Sequence, residues 1–443
     1  MLQIPMPICR LLDKLLADGY EAYVVGGCIR DSLLGFPPKD WDIATSALPE
    51  ETKRVFEGFR LVETGFRHGT LTVFADAQTP VEITTYRIDG AYSDNRHPDH
   101  VFFTKELNQD LARRDFTINA LAYRPGTGII DPFGGKNDLF RHMIRCVGLP
   151  EHRFKEDSLR ILRALRFSSV LGFSIDTDTA LAIHSLHPLL TNIAAERIAT
   201  ELLKILCGDA VFEVLMAYPD VIAQILPELR PMQGFAQNNP YHIYDVYEHT
   251  ARTVQSVPAD PVVRLAMLLH DSGKPSCYTQ DGRGIGHFRG HPAVSTSIAQ
   301  AVLMRLRIET NTIKQVCTLI TYHDTDLAPT VPCMKRWLNR LGEDMMRKLL
   351  VMKAADIRAQ SPERMDRLNQ INQLTEIVDQ IISTKQCFTL HDLKVNGHDL
   401  AALGLFPGKK MGDTLDALLE AVMDGRCPNE REALLEYVGT LGV

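Results

Sequence analysis

The stretch Gly26-Gly27-Cys28-Ile29-Arg30-Asp31, followed by Asp40-Trp41-Asp42, decides how the first part of this chain folds. Tyr23–Val25 predicts a strand, and the residues after the glycines predict a helix that stops at Gly35. Two glycines at a strand-to-helix turn let the backbone come close to a phosphate, and the helix N-terminus favours an anion. Arg30 stands one turn into that helix, placed to neutralise a triphosphate. A Gly-Gly pair by itself serves equally as an ordinary tight turn. Asp40 and Asp42 fall on the next predicted strand. Side chains at i and i+2 share a face there, so both carboxylates project together. Two close like charges repel unless cations lie between them. The arrangement suits a pair of Mg²⁺ ions about 3.5–4 Å apart. The alternative is two surface aspartates on an edge strand. Glu82, on a later strand, is either a third carboxylate for this site or a solvent-facing residue.

Outward from this stretch, Trp41–Ala44, Leu71–Phe74 and Val81–Tyr86 read as further strands, with helical patterns between them. After Pro150 the pattern turns almost wholly helical, with runs at Asp157–Leu171, Ala194–Leu206, Val262–His270, Val294–Leu306 and Leu415–Met423. Pro227–Tyr241, rich in Pro, Gly and Asn, reads as a linker. At 443 residues the chain exceeds what one core serves. Net charge is −7, which argues against a protein that simply coats nucleic acid and leaves RNA binding to local clusters such as Arg113 to Arg166. The nine scattered cysteines include no C-x-x-C pair, so reduced thiols and a cytoplasmic setting are expected. No signal peptide and no membrane span is read.

Gly26 to Gly35 with Asp40-Trp41-Asp42 resembles the first motif of the class II tRNA nucleotidyltransferase and poly(A) polymerase superfamily. Arg113-Arg114-Asp115-Phe116-Thr117-Ile118-Asn119-Ala120-Leu121 resembles its second, Asp131-Pro132-Phe133-Gly134-Gly135 its third, and Glu156-Asp157-Ser158-Leu159-Arg160 its fourth. Glu196-Arg197-Ile198 with Glu201 resembles the fifth. The resemblance implies an α+β protein: a polymerase beta-like nucleotidyltransferase head of α/β type over 1–138, a helical RNA-binding neck over 139–226, a body over 240–360 and a helical tRNA-binding tail over 361–443. It implies template-independent addition of C, C and A to the 3′ end of tRNA from CTP and ATP. Asp40 and Asp42 would be the catalytic Mg²⁺ ligands, and Gly27, Arg30, Arg114, Asp157, Arg160, Arg163 and Arg166 would surround the nucleotide.

The fourth motif also carries a derivable chemistry. Asp157, Arg160, Arg163 and Arg166 recur every three residues, so on a helix they form one slanting polar stripe, while Leu159, Leu162 and Leu165 pack inward. A carboxylate accepts from the amino group of either cytosine or adenine, and a guanidinium donates to the ring nitrogen of either. Uracil and guanine place a carbonyl where that amino group should be. One Asp/Arg pair therefore admits C and A and rejects U and G. A salt-bridged helix face is the plainer reading of the stripe.

Tyr86–Lys105 is long, polar and turn-rich and resembles the flexible loop with which full CCA-adding enzymes pass from CTP to ATP. Gly65-Phe66-Arg67-His68-Gly69-Thr70 resembles the CCA type of head. Partial CC or A addition, poly(A) synthesis, and a phosphohydrolase whose head merely grips RNA are the rival readings. In the body, His249, His270-Asp271 and Asp356 form an ordered set suited to a transition metal such as Ni, Mn, Co or Fe, with His291 and His323 available for a second ion. The set resembles an HD-type phosphohydrolase domain, either active on phosphoesters such as 2′,3′-cyclic ends or a structural remnant. Lys409 and Lys410 in the tail suit a tRNA backbone, or are simply solvated.

Overall fold

The computed structural model describes residues 2–90 and 100–441. The chain divides into two compact units, Met1–Pro227 and Glu228–Val443, parted at the start of the Pro/Gly/Asn-rich stretch.

The first unit is built on a seven-stranded sheet. Its strands are β1 (Ala22–Val25), β2 (Asp42–Thr45), β3 (Leu61–Gly65), β4 (Thr70–Phe74), β5 (Pro80–Thr85), β8 (Ala122–Arg124) and β9 (Gly128–Ile130), in the order β3-β4-β5-β2-β1-β8-β9. Two further strands, β6 (Arg87–Asp89) and β7 (Val101–Phe103), pair as a separate antiparallel ribbon. β1 is buried along its whole length, as its Ala-Tyr-Val-Val sequence requires of a strand covered on both faces. It pairs antiparallel with β2 and β8, and β2 pairs parallel with β5. The expected strand Trp41–Ala44 starts later, at Asp42. The β1 ladder ends at Val25, opposite Asp42, because the chain turns away at Gly26 with φ 82°. Asp40 therefore precedes the strand.

Beyond Pro150 the unit is helical except for the short strand Ser174–Ile175. Helix Leu159–Leu171 packs on helix Ala195–Leu206, which buries Leu162, Leu165, Leu202 and Ile205 between them. Gly172, at φ 68°, ends the first of these helices in the left-handed conformation that glycine tolerates best.

The second unit is almost all helix. Its centre is Pro261–Leu269, where every residue from Val263 to Leu269 is buried. Apart from Arg264 the helix is apolar, and a helix apolar on nearly all sides belongs in an interior. Asp260 caps its start by accepting from Val262 N at 2.8 Å and Val263 N at 3.0 Å. Its other end delivers His270 and Asp271 into the middle of the unit. Helices Val246–Gln255, His291–Arg305 and Thr310–Tyr322 pack on it. A second core joins Met334, Leu338, Met346, Leu350, Leu374 and Val378, and a third, in the tail, joins Leu400, Leu418, Val422 and Leu434. Among the described residues no helix is long and apolar enough to cross a membrane.

Candidate functional site

At the end of the sheet marked by the Gly-Gly turn, Asp42 lies between Val25 on β1 and Glu82 on β5. Gly26 is favoured by its backbone, and a side chain there would also press on the movable end of Arg114. The φ of Gly26 is 82°, and a Cβ there would stand 2.9 Å from Nη1 of Arg114. One cleft of about 570 Å³ gathers Gly27, Arg30, Asp40, Asp42, Arg114, Asp157, Arg160, Arg163 and Arg166. Burial, then the charge of Glu82, raises the Asp42 carboxyl to about 6. Arg114 pulls it down and Asp40 pushes it further up. A carboxylate so crowded by its own kind is a seat for a cation. Glu82 is exposed on its strand, in register with Asp42.

The arginines of the cleft are held by carboxylates. Arg30 pairs with Asp31 and donates through Nη1 to Oδ1 of Asn119 at 2.8 Å. Asn119 in turn donates to Asp115 at 3.1 Å, and Asp115 accepts from Nε of Arg163 at 2.8 Å. Burial alone would raise Asp115, but Arg163 and Asn119 outweigh it and hold the carboxyl well below its usual range. Arg166 reaches Glu201 at 3.1 Å, and Arg114 reaches Asp110 at 3.5 Å. The ring of Phe167 lies under three guanidinium carbons, those of Arg166 at 4.2 Å, Arg30 at 4.9 Å and Arg163 at 5.5 Å. Phe167 was not singled out from the sequence. Its signal was an aromatic set directly beside Arg166 within a run of arginines.

The polar stripe needs correction. The helix starts at Leu159, so Arg160, Arg163 and Arg166 are on it and Asp157 is not. Asp157 has extended backbone angles, φ −135° and ψ 101°, and its carboxylate accepts from Leu159 N at 3.1 Å. A short acidic side chain competes with the helix for its first amides, which places it at the N-terminus rather than on the barrel. Its other oxygen lies 3.4 Å from Arg197. Arg160 is buried and donates to the carbonyls of Arg153 and Arg113 and to Glu156. Asp157 and Arg160 share the cleft, each already partnered. The Tyr86–Lys105 loop shows its base as the β6–β7 ribbon, and residues 91–99 lie outside the described residues.

In the second unit the four expected ligands converge. His249, His270, Asp271 and Asp356 place donor atoms within 4.8 Å of one another, and Asp271, His291 and His323 do the same. Asp271 belongs to both groups. Its Oδ2 lies 3.2 Å from His270 Nε2, and its Oδ1 lies 3.4 Å from His291 Nε2. Each of the four histidines turns Nδ1 to a backbone carbonyl: His249 to Ala359, His270 to Met267, His291 to Phe288 and His323 to Ile320. A Nδ1–H donated to a carbonyl leaves Nε2 as the lone-pair atom facing inward. His270 Nε2 and Oδ1 of Asp271 are buried with no hydrogen-bond partner, while Oδ2 of Asp271 is met by the Lys274 cation. Buried polar atoms do not stay unsatisfied without a reason, and a metal ion supplies one. Lys274 stands 2.7 Å from Asp271 and 2.9 Å from Gln237.

Known proteins agree with this architecture. The poly A polymerase head domain model matches residues 22–145, the RNA and SrmB-binding site of polymerase A matches 172–232, and tRNA nucleotidyltransferase domain 2 matches 293–438. The CCA-adding enzyme of Levilactobacillus brevis is 35% identical over 428 residues, 97% of this chain and 96% of that protein. That of Lacticaseibacillus paracasei is 51% identical over 198 residues, 45% of this chain, and the match spans 49% of its own length. The crystal structure of the Bacillus stearothermophilus CCA-adding enzyme in complex with CTP superposes with a TM-score of 0.75 at 28% identity, covering 99% of this chain and 98% of that one. The sheet, its Gly-Gly turn and the paired aspartates thus define a nucleotidyltransferase head of the poly A polymerase class. The chain belongs to the family of CCA-adding enzymes.

Proposed function

We propose that this protein adds C, C and A to the 3′ end of tRNA from CTP and ATP and releases pyrophosphate. The observation that carries the reading is the crowded carboxylate pair Asp40/Asp42 at the mouth of an arginine-lined cleft. Family membership and the likeness to an enzyme solved with CTP support it. The tRNA 3′ oxygen bonds to the α-phosphorus, the bond from that phosphorus to the bridging oxygen breaks, and the hydroxyl proton leaves to solvent. Asp40 and Asp42 would hold divalent ions, two Mg²⁺, which when bound supply activation of the hydroxyl and neutralisation of the leaving group. Arg30 and Arg114 bind the triphosphate beside the Gly26-Gly27 backbone. Asp157 and Arg160 read the base after exchanging their present partners for its Watson–Crick edge. Head 1–138, neck 139–226, body 240–360 and tail 361–443 are the proposed domains, and the nine free cysteines suit a cytoplasmic setting. The test is incubation with tRNA truncated before CCA and all four nucleoside triphosphates, followed by 3′-end sequencing. Ends reading CCA support the assignment. Ends reading CC or A alone, or oligo(A), favour the partial or poly(A) activity.

A second reading rests on the orphaned atoms of His270 and Asp271. His249, His270, Asp271 and Asp356 would hold a transition metal, and His291 and His323 with Asp271 a second. Such ions supply Lewis-acid chemistry for phosphoester hydrolysis. Metal analysis of the purified protein tests it: wild type with no bound transition metal refutes this reading.

A further inference from the structure

Helix Leu159–Leu171 carries Phe167 directly after Arg166, and the ring lines the cleft of the first unit. Only 7% of the residue is exposed. Positions i and i+4 share a helix face, so Arg163 reaches the ring from the same helix, at 5.5 Å. Arg166 lies at 4.2 Å. The third guanidinium, at 4.9 Å, is that of Arg30, which arrives from helix Gly27–Leu33 at the Gly-Gly turn. The ring is itself seated. Phe116 meets it edge to face, with centroids 5.8 Å apart and planes at 83°. Phe116 is fully buried and follows Asp115, the carboxylate that holds Arg163.

Three like charges gathered at one ring repel each other. Burial, and then the charge of Arg163, pull the Arg166 guanidinium below its ordinary value, and Arg30 adds to that. A guanidinium has two means of attachment: its N–H edge donates to oxygens, and its flat face rests on a π system. The edges are taken by Asp31 and Asn119 for Arg30, by Asp115 for Arg163 and by Glu201 for Arg166. A triphosphate competes for those edges and leaves the faces alone. A carboxylate in place of Phe167 would repel the incoming phosphates, and an aliphatic side chain would offer the cations nothing. A benzene ring attracts cations through its quadrupole and carries no charge to repel an anion. We infer that Phe167 is a positioning residue for the nucleotide: its ring keeps Arg30, Arg163 and Arg166 gathered while their N–H edges pass from the carboxylates of the chain to the triphosphate. The inference rests on the reading of this cleft as the nucleotide site. In the free protein the carboxylates hold the arginines whatever the ring does. The ring therefore counts most in the bound state, and its strength shows in affinity.

The test replaces Phe167 in the full chain with mono-, di- and trifluorophenylalanine. Fluorine withdraws electron density from the ring face and leaves the shape of the side chain nearly unchanged, so packing is kept while the hold on cations weakens step by step. Calorimetry with Mg²⁺ and without tRNA measures the Kd of CTP and of inorganic tripolyphosphate, which has no base. Both Kd values are expected to rise with each fluorine, by about 10-fold from phenylalanine to the trifluoro ring, at an unchanged denaturation midpoint. Phe167→Leu should bind at least as weakly as the trifluoro protein, and the fluorinated series decides the matter if that variant folds poorly. A Kd that stays flat across the series overturns the inference. So does a gradient seen with CTP and absent with tripolyphosphate, which would place the ring at the base, and so does a midpoint that falls in step with affinity, which would make Phe167 a packing residue. Wild type that binds neither probe sinks the nucleotide reading of the cleft and the inference with it, whereas wild type that binds both with a flat series sinks only the role of Phe167.

Discussion

Asp42 and Glu82 stand directly opposite one another in the parallel β2–β5 ladder, and Glu82 is the strongest charge acting on the buried Asp42 carboxyl. With Asp42 raised to about 6, it is ionised above that pH and protonated below it. Protons and Mg²⁺ then compete for the same oxygen. The Mg²⁺ concentration that gives half-maximal nucleotide addition is expected to rise about tenfold per pH unit below pH ~6 and to be flat above it. Glu82→Gln should move that break to lower pH. Magnesium titrations of initial rate across the pH range check both, and a break that does not move in the variant refutes the coupling.

Replacing Asp40 or Asp42 with Ala should abolish nucleotide addition, by at least ~10³-fold, while tRNA affinity stays within a few-fold. Single-turnover addition and a binding titration on the same preparation separate the two effects. Addition by Asp42→Ala near the wild-type rate would falsify the metal assignment.

Asp157→Asn should relax base choice. The amide can present a donor to the uracil carbonyl, so the ratio of kcat/KM for UTP to that for CTP is expected to rise at least ~10-fold, in line with one charge-assisted bond of about 1.5–3 kcal/mol. The rate with CTP should fall. An unchanged CTP:UTP ratio would mean that Asp157 serves its present partner, Arg197, and not the base.

Asp115→Asn should destabilise the first unit by about 3 kcal/mol, because it leaves Arg163 half-buried without its carboxylate. Asp115 lies below its unfolded value, so its stabilising contribution is complete above the ordinary carboxylate range and is lost as pH falls through the lower, folded value. Denaturation midpoints of wild type and variant should therefore differ near neutrality and converge in acid. A constant gap across pH would argue that packing, not charge, is lost.

Asp271→Ala should strip bound transition metal and any hydrolase activity from the second unit yet leave CCA addition within a few-fold. Metal analysis and the addition assay on one preparation decide it. Collapse of addition in a folded variant would show that the two sites depend on each other.

Much of this was legible in the residues because the chemistry is local there. Gly26-Gly27 announces a turn, Asp40 and Asp42 are two apart, and the run from Pro261 to Leu269 is apolar but for Arg264, which puts His270 and Asp271 inside. The reading failed where partners come from afar. Asp115 and Arg163 are 48 residues apart, and nothing in either segment announces the pair. Asp157 was read as helical because the spacing to Arg160 is three, but its own side chain takes the amide of Leu159 and ends the helix before it begins. Periodicity registers a repeat and is blind to a residue that caps it. Strand β2 was placed one residue early for a related reason: its start is set by where β1 runs out of partners.

Arg30, Arg114, Arg160, Arg163, Arg166 and Arg197 each face a carboxylate of the chain itself. The cleft thus resembles an ion exchanger already loaded with its own counterions. A polyanion that approaches it displaces internal carboxylates as well as dissolved salt, so affinity should fall less steeply with ionic strength than the number of arginines suggests. Loose phosphate and random RNA, which offer charge without the right geometry, gain little from such an exchange. A nucleoside triphosphate that re-pairs each displaced group gains the most, and the cleft selects for shape before it responds to charge.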